Sequence, residues 1–190
     1  MSVRHSDSGD RVAACGDPGS ASHESRVRPL VTVRDARPQD VAAIANLYYD
    51  TIRRVNARDY GPEQIAAWAP RIFPEAFWSE RLARYQVFVA EAEQAIVGFA
   101  ELGIGGHIDC FYAHCGWQRR GVGTRLMSRI EEAALRSGAR SLTAEVSITA
   151  RPFFAAMGFS VVRELAHPYR GQVFRVFLME RCLRATGRAT

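Results

Sequence analysis

Gly121 and Gly123 stand one residue apart in Gln118-Arg119-Arg120-Gly121-Val122-Gly123-Thr124. The seven residues follow an apolar strand pattern, His107 to His114, and lead into an amphipathic helical pattern from about Thr124 to Ser137. A strand, a tight glycine turn and a helix start together make an anion site. Without Cβ atoms the turn can curl its amides close to a bound phosphate, and the positive end of the helix dipole faces the same point. Arg119 and Arg120 add charge that pairs with phosphate oxygens.

A Walker loop needs a lysine after its second glycine, and all 25 basic residues of this chain are arginines. The same absence excludes a Schiff-base lysine. A dinucleotide fingerprint needs a third glycine where Leu126 stands. What remains is Gln-x-x-Gly-x-Gly.

The elements that must hold this loop read as follows. Leu30–Arg34 is a strand, and Asp40 is placed to cap a helix carrying Val41, Ile44, Ala45, Tyr48 and Ile52 on one face. Pro62 starts and Ala69-Pro70 stops a short helix with Ile65 and Trp68. A further helix spans Pro74–Arg84, and its Phe77 and Trp78 either line a pocket or pack on a sheet. Tyr85–Glu91, Ala95–Leu102 and His107–His114 read as three hairpin-connected strands. After the loop helix, Ser141–Ser147 is a strand, Thr149 can cap a helix closed by Gly158, and Phe159–Leu165 and Val173–Glu180 form a last pair. Residues 1–28 read as a disordered tail, 29–182 as one domain and 183–190 as a loose end.

Composition narrows the class. The chain has 190 residues, 47% hydrophobic and 24% charged, as expected for one globular domain. No apolar run is long enough for a membrane span. Cys15, Cys110, Cys115 and Cys182 form no CxxC and read as reduced thiols, which with the absence of a signal peptide implies a cytoplasmic protein. The net charge of +5 rests wholly on arginine, a compositional bias that does not call for a nucleic-acid partner.

The Gln118–Gly123 loop resembles the acetyl-CoA pyrophosphate loop of the GNAT superfamily of N-acetyltransferases. Phe111-Tyr112-Ala113 stands where that family keeps a Leu-x-Val strand end, and Ala150-Arg151-Pro152-Phe153-Phe154-Ala155-Ala156-Met157-Gly158-Phe159 is similar to its Ala-x-x-(Phe/Tyr)-Tyr-x-x-x-Gly-Phe segment. Asp59-Tyr60, Gln64 and Trp68, with Ser147–Phe154, look like the YafP-type subgroup of small-molecule acetyltransferases. The resemblance implies an α/β (α+β) fold: a mixed, mostly antiparallel sheet of about six to seven strands, splayed between strands 4 and 5, with about four to five helices. It implies acetyl-CoA as cosubstrate, held by backbone of Phe111, Tyr112 and Ala113, by Gln118, Arg119, Arg120, Gly121, Val122, Gly123 and Thr124, and by Phe154 near the thioester. It is compatible with a homodimer. Cys115 and Gly116 depart from the family's Pro and acidic residue, and Phe154 replaces a tyrosine that protonates the leaving thiolate in many relatives.

Acetyl transfer to an amine also needs a base within reach of the nucleophile. Asp109 is the first choice, two residues before Phe111 and so on its face of a regular strand. Its competing role is pairing with a backbone group or an arginine. Glu101 and Glu145 are the next candidates. His107, Asp109, Cys110, His114 and Cys115 suggest zinc, but alternation divides them between two faces, and no metal is expected. The expected activity is acetylation of a small-molecule amine, with a protein or peptide amine as the second acceptor class. A silent acyl-CoA-binding module is the reading outside catalysis.

Overall fold

The computed structural model describes residues 30–183. The expected tail at 1–28, with Cys15, lies outside them, as does 184–190; Leu183 itself donates its N–H to the Arg140 carbonyl (2.8 Å). Seven strands form one sheet: β1 (Thr32–Asp35), β2 (Gln86–Ala92), β3 (Ala95–Leu102), β4 (His107–Ala113), β5 (Ser141–Ser147), β6 (Ser160–Tyr169) and β7 (Gln172–Cys182). Their spatial order is β1-β2-β3-β4-β5-β7-β6, antiparallel except for β4 against β5. Five helices flank it: α1 (Val41–Arg54), α2 (Pro62–Trp68), α3 (Glu75–Arg84), α4 (Val122–Arg136) and α5 (Arg151–Ala156). The mixed sheet and the break between its fourth and fifth strands are as the resemblance implies.

Helix α4 turns Leu126, Met127, Ile130 and Ala134 onto one face of the sheet, against Phe88, Ala100, Leu142 and Ala144. Helices α1 and α3 cover the other face through Ile44, Leu47 and Trp78 against Val87, Val89 and Phe99. Trp78 is therefore core, packed edge-on to Phe99 (5.6 Å), rather than a pocket wall. Gly98 lets α4 lie this close to β3. A Cβ there would stand 2.6 Å from Val122 Cγ1 and 3.1 Å from Leu126 Cδ1, so any side chain would have to displace Val122 at the start of α4. No helix among the described residues is long and apolar enough to cross a membrane.

Two expected caps are made differently. The Asp40 carboxylate makes no capping bond to α1; it accepts from Arg34 (2.7 and 3.0 Å) and from the Arg37 N–H (2.7 Å), tying β1 to the turn before the helix. Thr149 does not cap α5: the Ser147 hydroxyl accepts the Ala150 N–H (3.2 Å), while Thr149 Oγ1 is buried without a partner. Both are cases of a nearby competitor reaching the group first.

The hydrogen bond from Arg34 holds the Asp40 carboxyl below its ordinary value of 3.8. A lowered folded-state pKa contributes stability above the unfolded value, and that stability is lost as pH falls through the folded one. Asp40→Asn is expected to lower stability by about 2 kcal/mol at neutral pH. The deficit should shrink on acidification below the ordinary aspartate range, as urea midpoints across pH will show.

Candidate active site

Pairing between β4 and β5 stops almost as soon as it starts. The register is His107 with Thr143 and Ile108 with Ala144, after which the two strands part. The β4 edge from Asp109 to Ala113 is thus open toward β5, although its other edge stays paired to β3 through Phe111, Tyr112 and Ala113. A cleft of about 710 Å³ fills the opening and runs through the sheet. On the α4 side it is lined by Gln118, Arg119 and Gly121–Thr124; on the α1 side by Thr51, Asn56, Trp68 and Val176.

Several local features fix the glycine loop. A 3-10 turn, Cys115–Trp117, redirects the chain after β4, and Gln118 Nε2 donates back to the Ala113 carbonyl (2.7 Å). That bond gives Gln118 a structural reason: it ties the loop to the strand end. Gly121 has φ +84°, a left-handed conformation that carries the chain into α4. The first helical bond of α4 runs from the Arg125 N–H to the Gly121 carbonyl (3.1 Å), so the amides of Val122, Gly123 and Thr124 precede the ladder. Arg119 also has a positive φ of 61° and lines the cleft, whereas Arg120 stacks over Trp117 (5.1 Å). Phe111, stacked on Phe153 (5.3 Å) and edge-on to Phe154 (5.6 Å), builds the apolar wall beside this loop.

Residues 56–180 match the family model for the acetyltransferase (GNAT) domain. The chain belongs to the GNAT acetyltransferase family. It is 32% identical over 149 residues to the uncharacterized N-acetyltransferase YafP of Escherichia coli, across 78% of this chain and 94% of that one. A crystal structure of a GCN5-related N-acetyltransferase from Rhodopseudomonas palustris superposes with a TM-score of 0.76 at 32% identity, over 80% of this chain and 95% of that one. The PaiA N-acetyltransferase of Thermoplasma acidophilum, solved with coenzyme A, shares the fold at a TM-score of 0.67 and 16% identity, over 80% and 99%.

In this GNAT domain the three acidic candidates occupy different places. The Ala100–Phe111 and Leu102–Ile108 pairs leave one residue of β3, Glu101, opposite two of β4, Asp109 and Cys110. This bulge breaks alternation. Ile108 and Phe111, three apart, both belong to the α4 side, while Cys110 packs on the α1 side. Asp109 and Phe111 therefore do not share a face, contrary to the regular-strand expectation. Asp109 lines the cleft, but its carboxylate is taken by an ion pair with Arg81 and approached by the Tyr85 hydroxyl (3.4 Å).

Glu101 is 0% exposed, chelated by Arg81 Nε (3.0 Å to each oxygen) and by Arg81 Nη2. It does not line the cleft. Glu101, Asp109 and Cys110 bring their donor atoms within 4.8 Å of one another, a grouping that strict alternation rules out. The Arg81 guanidinium already sits among them, 3.6 Å from Cys110 Sγ. Burial pushes the Cys110 thiol far up, so it stays protonated. His107 instead faces Thr143 (3.2 Å), and the His114 ring accepts the Gly116 N–H (3.2 Å), so neither joins that group.

Glu145 lines the β5 side of the cleft, half-exposed, with His167 Nδ1 3.4 Å from its carboxylate. Thr51, Asn56 and His167 escape sequence reasoning: the first two look like ordinary helix residues, and nothing local to β6 announces that His167 meets Glu145 on β5.

Proposed function

We propose that this domain transfers the acetyl group of acetyl-CoA directly to an amine of a small-molecule acceptor, both bound at once. The supporting observation is the continuous cleft that opens through the sheet between β4 and β5, joining the glycine loop to the α1–α2 side. The residues present suit acetyl-CoA. The amides of Val122, Gly123 and Thr124, with Arg119, fit a diphosphate. The open β4 edge at Phe111–Ala113 offers backbone pairing to an amide-bearing arm. The buried, unpartnered Thr149 Oγ1 offers one more hydrogen bond in the same cleft. Acetyl-CoA supplies the activated acyl group as a thioester.

A small acceptor is favoured by how α2 is fastened down. Tyr60 donates its hydroxyl to the Arg175 carbonyl (2.9 Å), Gln64 Nε2 donates to the Val173 carbonyl (2.8 Å), and Arg170 reaches the Ala67 carbonyl (3.4 Å). These bonds hold α2 against β7 and its turn, flooring the acceptor side.

Glu145 is the base in this proposal. Of the three acids it alone lines the cleft without an arginine on its carboxylate, and a water can relay the proton from the incoming ammonium. A main-chain N–H at Tyr112 or Ala113 stabilises the oxyanion. Phe154 donates no proton, so the departing thiolate takes one from solvent, as a thiolate does near neutrality when its thiol's pKa lies above about 7.

Glu145→Gln is expected to lower kcat/KM by about 100-fold with acetyl-CoA affinity unchanged. Amine-dependent CoA release, with the acetylated product identified by mass, tests the activity itself. Acetyl-CoA binding without turnover on any amine would leave a silent binding module instead.

A further inference from the structure

The acceptor half of the cleft carries a chemical bias. Its walls come from the end of α1, from α2 and from β4 and β7: Thr51, Val55, Asn56, Trp68, Tyr112 and Val176. Thr51 is 4% and Asn56 5% exposed. Among the described residues Thr51 Oγ1 has no hydrogen-bonding partner. Asn56 also lines the cleft, and its main-chain carbonyl is already taken by the N–H groups of Asp59 (3.0 Å) and Tyr60 (3.1 Å), which leaves the carboxamide as the group it can offer a ligand. A buried hydroxyl with no partner is unfavourable unless something that binds there completes it.

Charge is distributed just as unevenly. Arg119, at the glycine loop, is the one arginine among the described residues that line the cleft. Arg53 and Arg170, which reach α2, place their guanidinium groups on the carbonyls of Ala69 (3.2 Å) and Ala67 (3.4 Å). The acids Glu145 and Asp109 face the cleft instead. A ligand carboxylate would lose its water in the acceptor half, find no arginine lining it, and sit near Glu145. An ammonium would be welcome there.

The remaining walls are rigid and aromatic. Trp68 packs edge-on to Tyr60 (5.3 Å) and Phe174 (5.5 Å), and Tyr112 on Tyr48 (5.0 Å) and Phe99 (5.4 Å). Burial also pushes the Tyr112 phenol well above its ordinary value of 10, so it stays neutral.

We propose that the acceptor is a carboxylate-free amine with an apolar or aromatic body and one uncharged hydrogen-bonding group. Thr51 and Asn56 bind that group: an amino alcohol or a hydroxylated arylalkylamine fits, and an amino acid does not. This assignment rests on the acetyl-transfer reading of the cleft.

The test uses matched pairs that differ in the carboxylate: phenylalaninol against phenylalanine, methioninol against methionine, tyramine against tyrosine. CoA release and product mass are followed, and acetyl-CoA binding is measured separately by calorimetry. The member without the carboxylate is expected to have a kcat/KM at least about 10-fold higher. Thr51→Val should lower that value ~10-fold, with acetyl-CoA affinity unchanged and thermal stability unchanged or raised, because an unpaired buried hydroxyl has gone. Thr51→Ser should restore turnover, which a purely structural role would not produce. Amino acids accepted as well as their partners, or a Thr51→Val enzyme as active as the parent, overturn the proposal. So does acetyl-CoA binding with no member accepted, which leaves the cofactor half standing. Absence of acetyl-CoA binding overturns the transfer reading along with it.

Discussion

Gly123→Trp is expected to weaken acetyl-CoA binding by about 100-fold or more while the chain still folds. A Cβ built on Gly123 would lie 2.9 Å from two ring carbons of Phe153 and 3.6 Å from Phe111 Cε1. Even the Cβ is too close to that stacked pair, so an indole has to displace Phe153 or the loop itself, and either change disturbs the amides at the α4 N-terminus. Two charge-assisted hydrogen bonds lost, at about 1.5–3 kcal/mol each, account for the factor. Gly121→Ala is the control. Nothing lies within 4 Å of its Cβ position, but the φ of +84° remains, so it should cost about 1–2 kcal/mol of stability and block little. Calorimetry at low salt, with thermal melts on the same samples, reads both effects. Folded Gly123→Trp protein that binds acetyl-CoA within about threefold of the parent would remove the loop from the diphosphate site.

Arg81→Met should lower stability by about 3–5 kcal/mol. Arg81 leans on Tyr85 (4.8 Å) and Phe77 (5.7 Å) and neutralises two carboxylates, one of them wholly buried. Burial works against its charge, but the bond to Glu101 and the neighbouring carboxylates outweigh it and hold the guanidinium protonated. Methionine replaces the apolar stem and leaves Glu101 charged in a dry site. Adding Glu101→Gln removes that charge, so the double variant should recover a good part of the loss. Urea unfolding measures both; equal midpoints for Arg81→Met and the parent would mean the pair contributes nothing net.

Local pattern made most of the architecture legible. Ala95–Leu102 and Ser141–Ser147 are strands at the expected residues, and Pro62 with Ala69-Pro70 bounds α2 as proline chemistry requires. The loop was readable because its glycines, its strand and its helix are contiguous. The acids were not, for a physical reason. Where Asp109 points depends on a bulge, and a bulge depends on how β3 and β4 align, not on either strand alone. Arg81, 20 residues before Glu101 and 28 before Asp109, gave no sign of meeting both. Thr51 and Asn56 sit in a helix end that reads as surface until α2 and β7 are folded over it.

The parted strands also bear on how the protein survives in crowded solution. An unpaired strand margin is normally a hazard, since a second polypeptide can add itself there and seed aggregates. Here the bare margin of β4 lies within a wedge whose arms are still joined at His107–Thr143 and Ile108–Ala144. The Phe111–Phe153 stack and Val146 line that wedge, which leaves an incoming strand, with side chains on both faces, less room than an outer edge would. The same narrowness shelters the sheet from its own kind.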